Sequence, residues 1–193
     1  MIAMVDFSKK KIPVLTTGFK YKTVFSLSRM YEQMKEWMEE NGYLDAYGGT
    51  DYLETKYIHE VSGPVKNIYF TLEGSQGRPN SFYKRVLVVS GDCIAIQDSE
   101  IVQEGHKFKA QKGEITVKIK ATLVYDPEGK WDKASSLVKM FNKIAFQRWI
   151  KGQVEQEFLD YSREVYDFAD YLKKFVELKT LESMPNYHPS LRG

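Results

Sequence analysis

Residues 154–176, VEQEFLDYSREVYDFADYLKKFV, carry the most regular hydrophobic pattern in the chain. Val154, Phe158, Tyr161, Val165, Phe168, Leu172 and Phe175 alternate in steps of four and three, which keeps one side of an α-helix apolar. Between them stand Glu155, Glu157, Asp160, Arg163, Glu164, Asp167, Asp170, Lys173 and Lys174, so the helix has one flank to bury and one to hydrate. The same spacing suits a coiled-coil seam. Against that, Phe158, Phe168 and Phe175 are bulky for regular two-stranded knobs, and Tyr161 needs a polar outlet. Packing on the protein's own sheet is favoured, with Tyr166, Tyr171 and Val176 left over for self-association.

Immediately upstream, residues 131–150 read as a basic amphipathic helix, with Leu137, Met140, Phe141, Ile144, Ala145, Trp149 and Ile150 interrupted by Lys133, Lys139, Lys143 and Arg148. The apolar phase does not carry through Gln147 and Lys151, so a bend or short turn is expected near Gly152. Residues 184–193 leave the helical pattern as a tail.

Before these helices the period is two. Residues 14–24 form a first strand weakened by Gly18; a helix follows, on Leu27, Met30, Tyr31, Met34, Trp37 and Met38. Ser26 or Ser28 would cap that helix and Asn41-Gly42 would stop it. Residues 52–61 and 65–72 make a hairpin around Ser62-Gly63-Pro64, and the Gly- and Pro-rich stretch 73–80 is expected as an exposed loop. A central strand over 82–96, bent at Gly91-Asp92, precedes two strands at 100–110 and 114–125 joined through Lys112-Gly113. On the last strand Ile115, Val117, Ile119, Ala121, Leu123 and Tyr125 share one face, opposite Glu114, Thr116, Lys118, Lys120 and Thr122, so one side is core and the other wet.

The fold class is therefore α+β: an antiparallel meander of about five to six strands packed by one N-terminal helix and long C-terminal helices. One domain holds it all, with the sheet and first helix in 1–130, the packing helices in 131–183 and the tail after them. This order over 14–178 resembles the helix-grip fold of START-like and polyketide-cyclase-like proteins. That resemblance implies a curved sheet around a long terminal helix and an apolar cavity between them. It rests on element order without a diagnostic motif, and the extent of helix after the sheet departs from the pattern. The stretch 112–129 also looks like uncharacterised small archaeal proteins, which suggests a source and no chemistry.

Composition narrows the function classes. The 193 residues carry 42% hydrophobic and 14% aromatic side chains, enough for a folded core. A formal net charge of +2 gives no strong overall pull on nucleic acid. A single cysteine, Cys93, excludes an internal disulfide framework and a cysteine-rich zinc site. With neither a signal peptide nor an apolar run of bilayer length, a cytoplasmic location is expected.

Neither Gly-x-x-x-x-Gly-Lys-Ser/Thr nor Gly-x-Gly-x-x-Gly occurs, and Gly74-Ser75-Gln76-Gly77 reads as a hairpin turn. His59, His106 and His188 are scattered, without helical i+4 partners that would suggest a metal site. Cys93, between Gly91-Asp92 and Ile94, suits a small buried thiol better than a nucleophile, and no Gly-x-Ser-x-Gly elbow is present. Glu54, Glu60 and Glu73 read as wet-face carboxylates. No catalytic residue, cofactor or metal ligand is expected.

Charge is polarised instead. Lys107, Lys109, Lys112, Lys118 and Lys120 crowd the last hairpin, and the 131–151 helix is basic while the following one is acidic. Three readings follow. The leading one is a non-enzymatic interaction or assembly protein, meeting a protein partner or a second copy through the basic hairpin and Lys139, Lys143, Phe146, Arg148, Trp149, Tyr166 and Tyr171. The second is a small apolar-ligand carrier of helix-grip type, its pocket lined by Tyr52, Tyr57, Tyr69, Phe70, Tyr83 and Phe108. The third is peripheral binding to an anionic membrane through 137–151, with nucleic acid as a further anionic partner.

Overall fold

Five stretches with period-two alternation are strands: β1 (Lys11–Phe25), β2 (Glu54–Ser62), β3 (Val65–Gln76), β4 (Tyr83–Gln103) and β5 (His106–Tyr125). Two helices accompany them, α1 (Leu27–Glu40) and α2 (Lys151–Glu182). The structure is a computed structural model that describes residues 11–77, 83–103, 106–125 and 151–182. All strand pairs are antiparallel and the order across the sheet is β1-β5-β4-β3-β2. Consecutive strands β2 to β5 form the meander, and β1 closes against β5 at the far edge. The chain thus crosses the sheet between β1 and β2, and α1 lies in that crossover.

Inward-facing side chains alternate with wet ones along each central strand. Ile68, Phe70 and Leu72 of β3, Leu87, Val89 and Cys93 of β4, and Ile115, Val117, Ile119 and Ala121 of β5 are buried. Leu27, Met30, Met34 and Met38 of α1 cover them from one side, and Tyr161, Val165, Phe168, Leu172 and Val176 of α2 join the same cluster. Val154, at the start of α2, packs with Ile12 and Leu123 in a second, smaller cluster, which Phe158 borders. The apolar flank of α2 therefore lies across the sheet. Where the two helices meet, Trp37 stacks on Phe168 with ring centroids 4.0 Å apart.

Several local expectations are corrected. The strand expected at 100–110 is divided, its first residues ending β4 and 106–110 opening β5, which runs on unbroken through 114–125. Lys112-Gly113 is no turn: these residues pair with Val24 and Thr23 of β1. The strand expected to end at Ile96 continues to Gln103, interrupted by a bulge between Ile94 and Gln97. There Ala95 takes φ 55° and its N–H donates to Asn67 Oδ1 at 3.0 Å. Gly113 faces this bulge because a Cβ on it would stand 2.5 Å from Ile96 Cδ1. Residues 73–76 are the end of β3 rather than loop, since Glu73 to Gln76 pair with Val88 to Arg85. Ser26 occupies the N-cap position of α1 without a side-chain cap bond; Leu27 N donates to Gln111 Oε1 at 3.0 Å instead. The helix expected over 131–150 and the tail from 184 lie outside the described residues. Lys151–Glu182 is helical, Gly152 included.

Gly91 on β4 pairs with Phe70 on β3, and the ring lies where a Cβ would be. Gly91→Ala is expected to cost about 1–3 kcal/mol by overpacking, read as a lower urea midpoint at unchanged slope. Phe70→Leu in the same chain should recover part of that loss.

Candidate functional site

Most of the chemistry gathers where α2 meets β4. On β4 the inward positions run Tyr83, Arg85, Leu87 and Val89, so the fold turns one arginine toward the helix side of the sheet. On α2 Glu157, Tyr161 and Glu164 repeat at helical spacing and face it. Arg85 donates from Nε to Glu157 and from Nη1 to Glu164, with a further bond from Nη1 to Gln76 Oε1 at 3.2 Å. Its guanidinium carbon sits 5.2 Å from the centroid of the Tyr161 ring. Tyr43 donates to the other oxygen of Glu164 at 2.7 Å, and Tyr161 donates to the Val86 carbonyl at 2.8 Å.

Electrostatically the cluster holds one cation against two carboxylates, at side-chain exposures of 17% for Arg85, 15% for Glu157 and 22% for Glu164. Burial works against the guanidinium's charge, but Glu157 and Glu164 outweigh it and hold its pKa above the ordinary value. Burial also pushes the phenols of Tyr43 and Tyr161 well up, so both stay protonated as donors. Each named carboxylate thus has a donor within the chain. Such an arrangement fixes the rotation and register of α2 on the sheet.

A second cluster organises the loop before β2. Asp45 is 4% exposed and accepts backbone N–H bonds from Tyr47 at 2.6 Å, Gly49 at 3.1 Å and Tyr52 at 3.0 Å. Burial raises the pKa of this carboxyl, but the backbone donors of Gly49, Tyr52 and Tyr47 prevail and hold it below its usual range. Its ionised form therefore stabilises the fold above the unfolded carboxyl pKa of about 3.9, and the contribution is lost as pH falls through the lower folded value. Urea midpoints measured from pH 7 downward should show Asp45→Asn less stable than wild type at neutral pH, with the gap narrowing in acid.

Anchored this way, the loop presents Tyr47 and Tyr52, 86% and 66% exposed and in edge contact with centroids 5.7 Å apart. The strand that follows, β2, is an edge of the sheet, and all nine of its residues are exposed. Tyr57, Ile58 and Val61 are the apolar side chains it leaves in water.

The described residues expected to line a pocket are spread over the sheet and the loop before β2, with Tyr57 and Phe70 paired across β2 and β3. Phe70 is in the core, Tyr52 and Tyr57 are exposed, and Tyr83 borders the Ile12, Leu123 and Val154 cluster. Tyr69 pairs with Ile58 and Asp92 and points away from Phe70. The side chain of Phe108 lies outside the described residues, as do Lys139, Lys143, Phe146, Arg148 and Trp149. A groove of about 460 Å³ lies elsewhere, at Asp98, Ser99, Glu100, Lys109, Ala110 and Gln111 beyond the β4 bulge. Tyr166 and Tyr171 are exposed on α2, and Tyr171 donates to Gln33 of α1.

Lys112, Lys118 and Lys120 stand on the outward face of β5, alternating with buried residues, and Lys118 pairs with Asp92 at 3.2 Å. Neighbouring Lys20 on β1 pairs with Glu114 at 2.7 Å. Cys93 is buried; that burial, reinforced by the charge of Asp92, pushes its thiol up to about 12. Among the described residues no group of three or more His, Cys, Asp or Glu is placed to hold a metal ion. No described helix is long and apolar enough to cross a membrane.

Sequence reasoning missed the Arg85 and Asp45 clusters. It read Glu157 and Glu164 as hydrated, whereas both are mostly buried. The available signal was Arg85 itself, a charge at an inward position of an otherwise apolar alternation. The architecture defines an antiparallel α+β protein with one long helix across its sheet. No protein-family model, curated protein or solved structure matches the chain.

Proposed function

We propose that the chain is a non-enzymatic interaction or assembly module, and that its principal contact surface is the open β2 edge with the aromatic loop leading into it. The observation that carries this reading is the exposure of β2 along its full nine residues, with Tyr57 at 51% and Val61 at 63%. An edge strand presents unpaired backbone donors and acceptors, and exposed aromatic and aliphatic side chains beside them supply what a docking strand needs. Tyr47 and Tyr52 extend the same apolar rim, and Asp45 holds their loop in one shape. Tyr166 and Tyr171 on α2 form a separate, smaller contact candidate.

Photo-crosslinking tests this. A benzophenone side chain is placed at Tyr57, Tyr52 or Tyr166, one at a time, and the full chain is irradiated in cells of its source. An adduct of discrete mass from Tyr57 or Tyr52 is expected; no adduct from any of the three positions would contradict the reading.

The outward lysines support a second reading, contact with an anionic surface. Lys22, Lys112 and Lys120 are exposed on the β1–β5 face, with ion-paired Lys20 and Lys118 between them. Flotation with anionic vesicles, absent with neutral ones and abolished by salt, is its expected result.

A further inference from the structure

We infer that β2 pairs with β2 of a second copy, antiparallel, about a two-fold axis through Ile58. This rests on the interaction reading above and names the partner.

Glu54–Ser62 reads ETKYIHEVS, and its midpoint is Ile58. The antiparallel register centred on that residue places Ile58 opposite Ile58 of the other copy and Tyr57 opposite His59. The same register places Lys56 opposite Glu60, twice, on either side of the axis. Opposite charges facing each other across neighbouring strands stabilise a pair, and like charges destabilise it. A bulge between Glu54 and Lys56 leaves Lys56 to Ser62 as the regular stretch. Within it, moving the axis to Tyr57 would set Lys56 against Ile58, and moving it to His59 would set Ile58 against Glu60. Only the centred register among these sets opposite charges against each other.

Geometry within the chain agrees. Lys56, Ile58 and Glu60 share the outward side, since their partners on β3 are Thr71, Tyr69 and Asn67, whereas Tyr57 pairs with buried Phe70. Residues of the same side meet in the centred register, so both copies' helix layers come to lie on one side of a continuous sheet. Room for that exists because α1 touches the start of β2, where Tyr31 donates to Glu54, and every β2 residue is still exposed. Among the described residues neither Lys56 nor Glu60 has an ion-pair partner in its own chain.

Sedimentation equilibrium of the full chain over a concentration series tests the inference. Wild type should approach twice the mass of one 22.5 kDa chain. Lys56→Glu alone, or Glu60→Lys alone, puts like charges opposite each other twice and should weaken self-association by about tenfold or more. Mixing those two variants restores opposite charges at both positions, and the mixture should associate about as tightly as wild type. Damage to the fold could not produce that recovery. A dimer indifferent to both substitutions would overturn the β2 pairing while leaving the interaction reading intact. A wild type that remains a single chain throughout would overturn the second copy as partner, and adducts from the Tyr57 probe then decide the broader reading separately.

Discussion

Phe168→Ala is expected to lower stability by about 3–5 kcal/mol, more than any other single truncation on α2. The side chain is fully buried and stacks on Trp37, so removing it opens a cavity between α1, α2 and the sheet. Met34 and Met38 of the same core cluster are flexible enough to relax in part, which places the loss within that range rather than above it. Urea denaturation followed by circular dichroism reads the change. Tyr166→Ala, on the wet side of the same helix, should stay within about 0.5 kcal/mol of wild type. If the two substitutions cost the same, α2 is not packed as described.

The next largest effect is expected at Arg85. Arg85→Met keeps much of the aliphatic stem but leaves Glu157 and Glu164 facing each other without the cation that bridges them. Stranding buried carboxylates costs about 3–5 kcal/mol in well-enclosed sites. Here the glutamates retain 15% and 22% exposure, so about 2–4 kcal/mol is expected at neutral pH. Adding Glu157→Gln and Glu164→Gln to the same chain should recover most of the loss, because the neutral amides need no counter-charge. A surface pair gives the contrast: Lys20→Met, which breaks the exposed bridge to Glu114, should cost no more than about 1 kcal/mol. Were the triple variant no more stable than Arg85→Met alone, the role of the cluster would be packing rather than charge.

Both results probe features of unequal visibility in the sequence. The stripe from Val154 to Phe175 was legible because one unbroken helical period marks the buried flank, and Tyr161, Val165, Phe168 and Leu172 are indeed buried. The in-out split on β5 was legible for the same reason at period two. What hid the true length of β4 and β5 is the bulge at Ala95. It shifts the phase of β4 between Ile94 and Gln97, and the glycine that accommodates it, Gly113, looks like a hairpin turn beside Lys112. Gly74 misled in the same way: it lies inside β3, where Met38, Leu53 and Tyr43 pack against its missing side chain. The polar cluster was hidden by distance. Arg85 is separated from Glu157 by 72 residues and from Glu164 by 79, and Tyr43 reaches Glu164 across 121. Residue spacing along one element cannot report such a meeting. It becomes visible once β4 is known to be central and α2 is known to cross it.

The apolar flank of α2 lies over its own sheet. Isotope-filtered nuclear Overhauser spectroscopy on a mixture of labelled and unlabelled chains tests it most directly. Cross-peaks between the Trp37 indole and the Phe168 ring, whose centroids are 4.0 Å apart, should be intense and arise within one chain at every concentration. Their absence, or their appearance only between chains, would contradict the account.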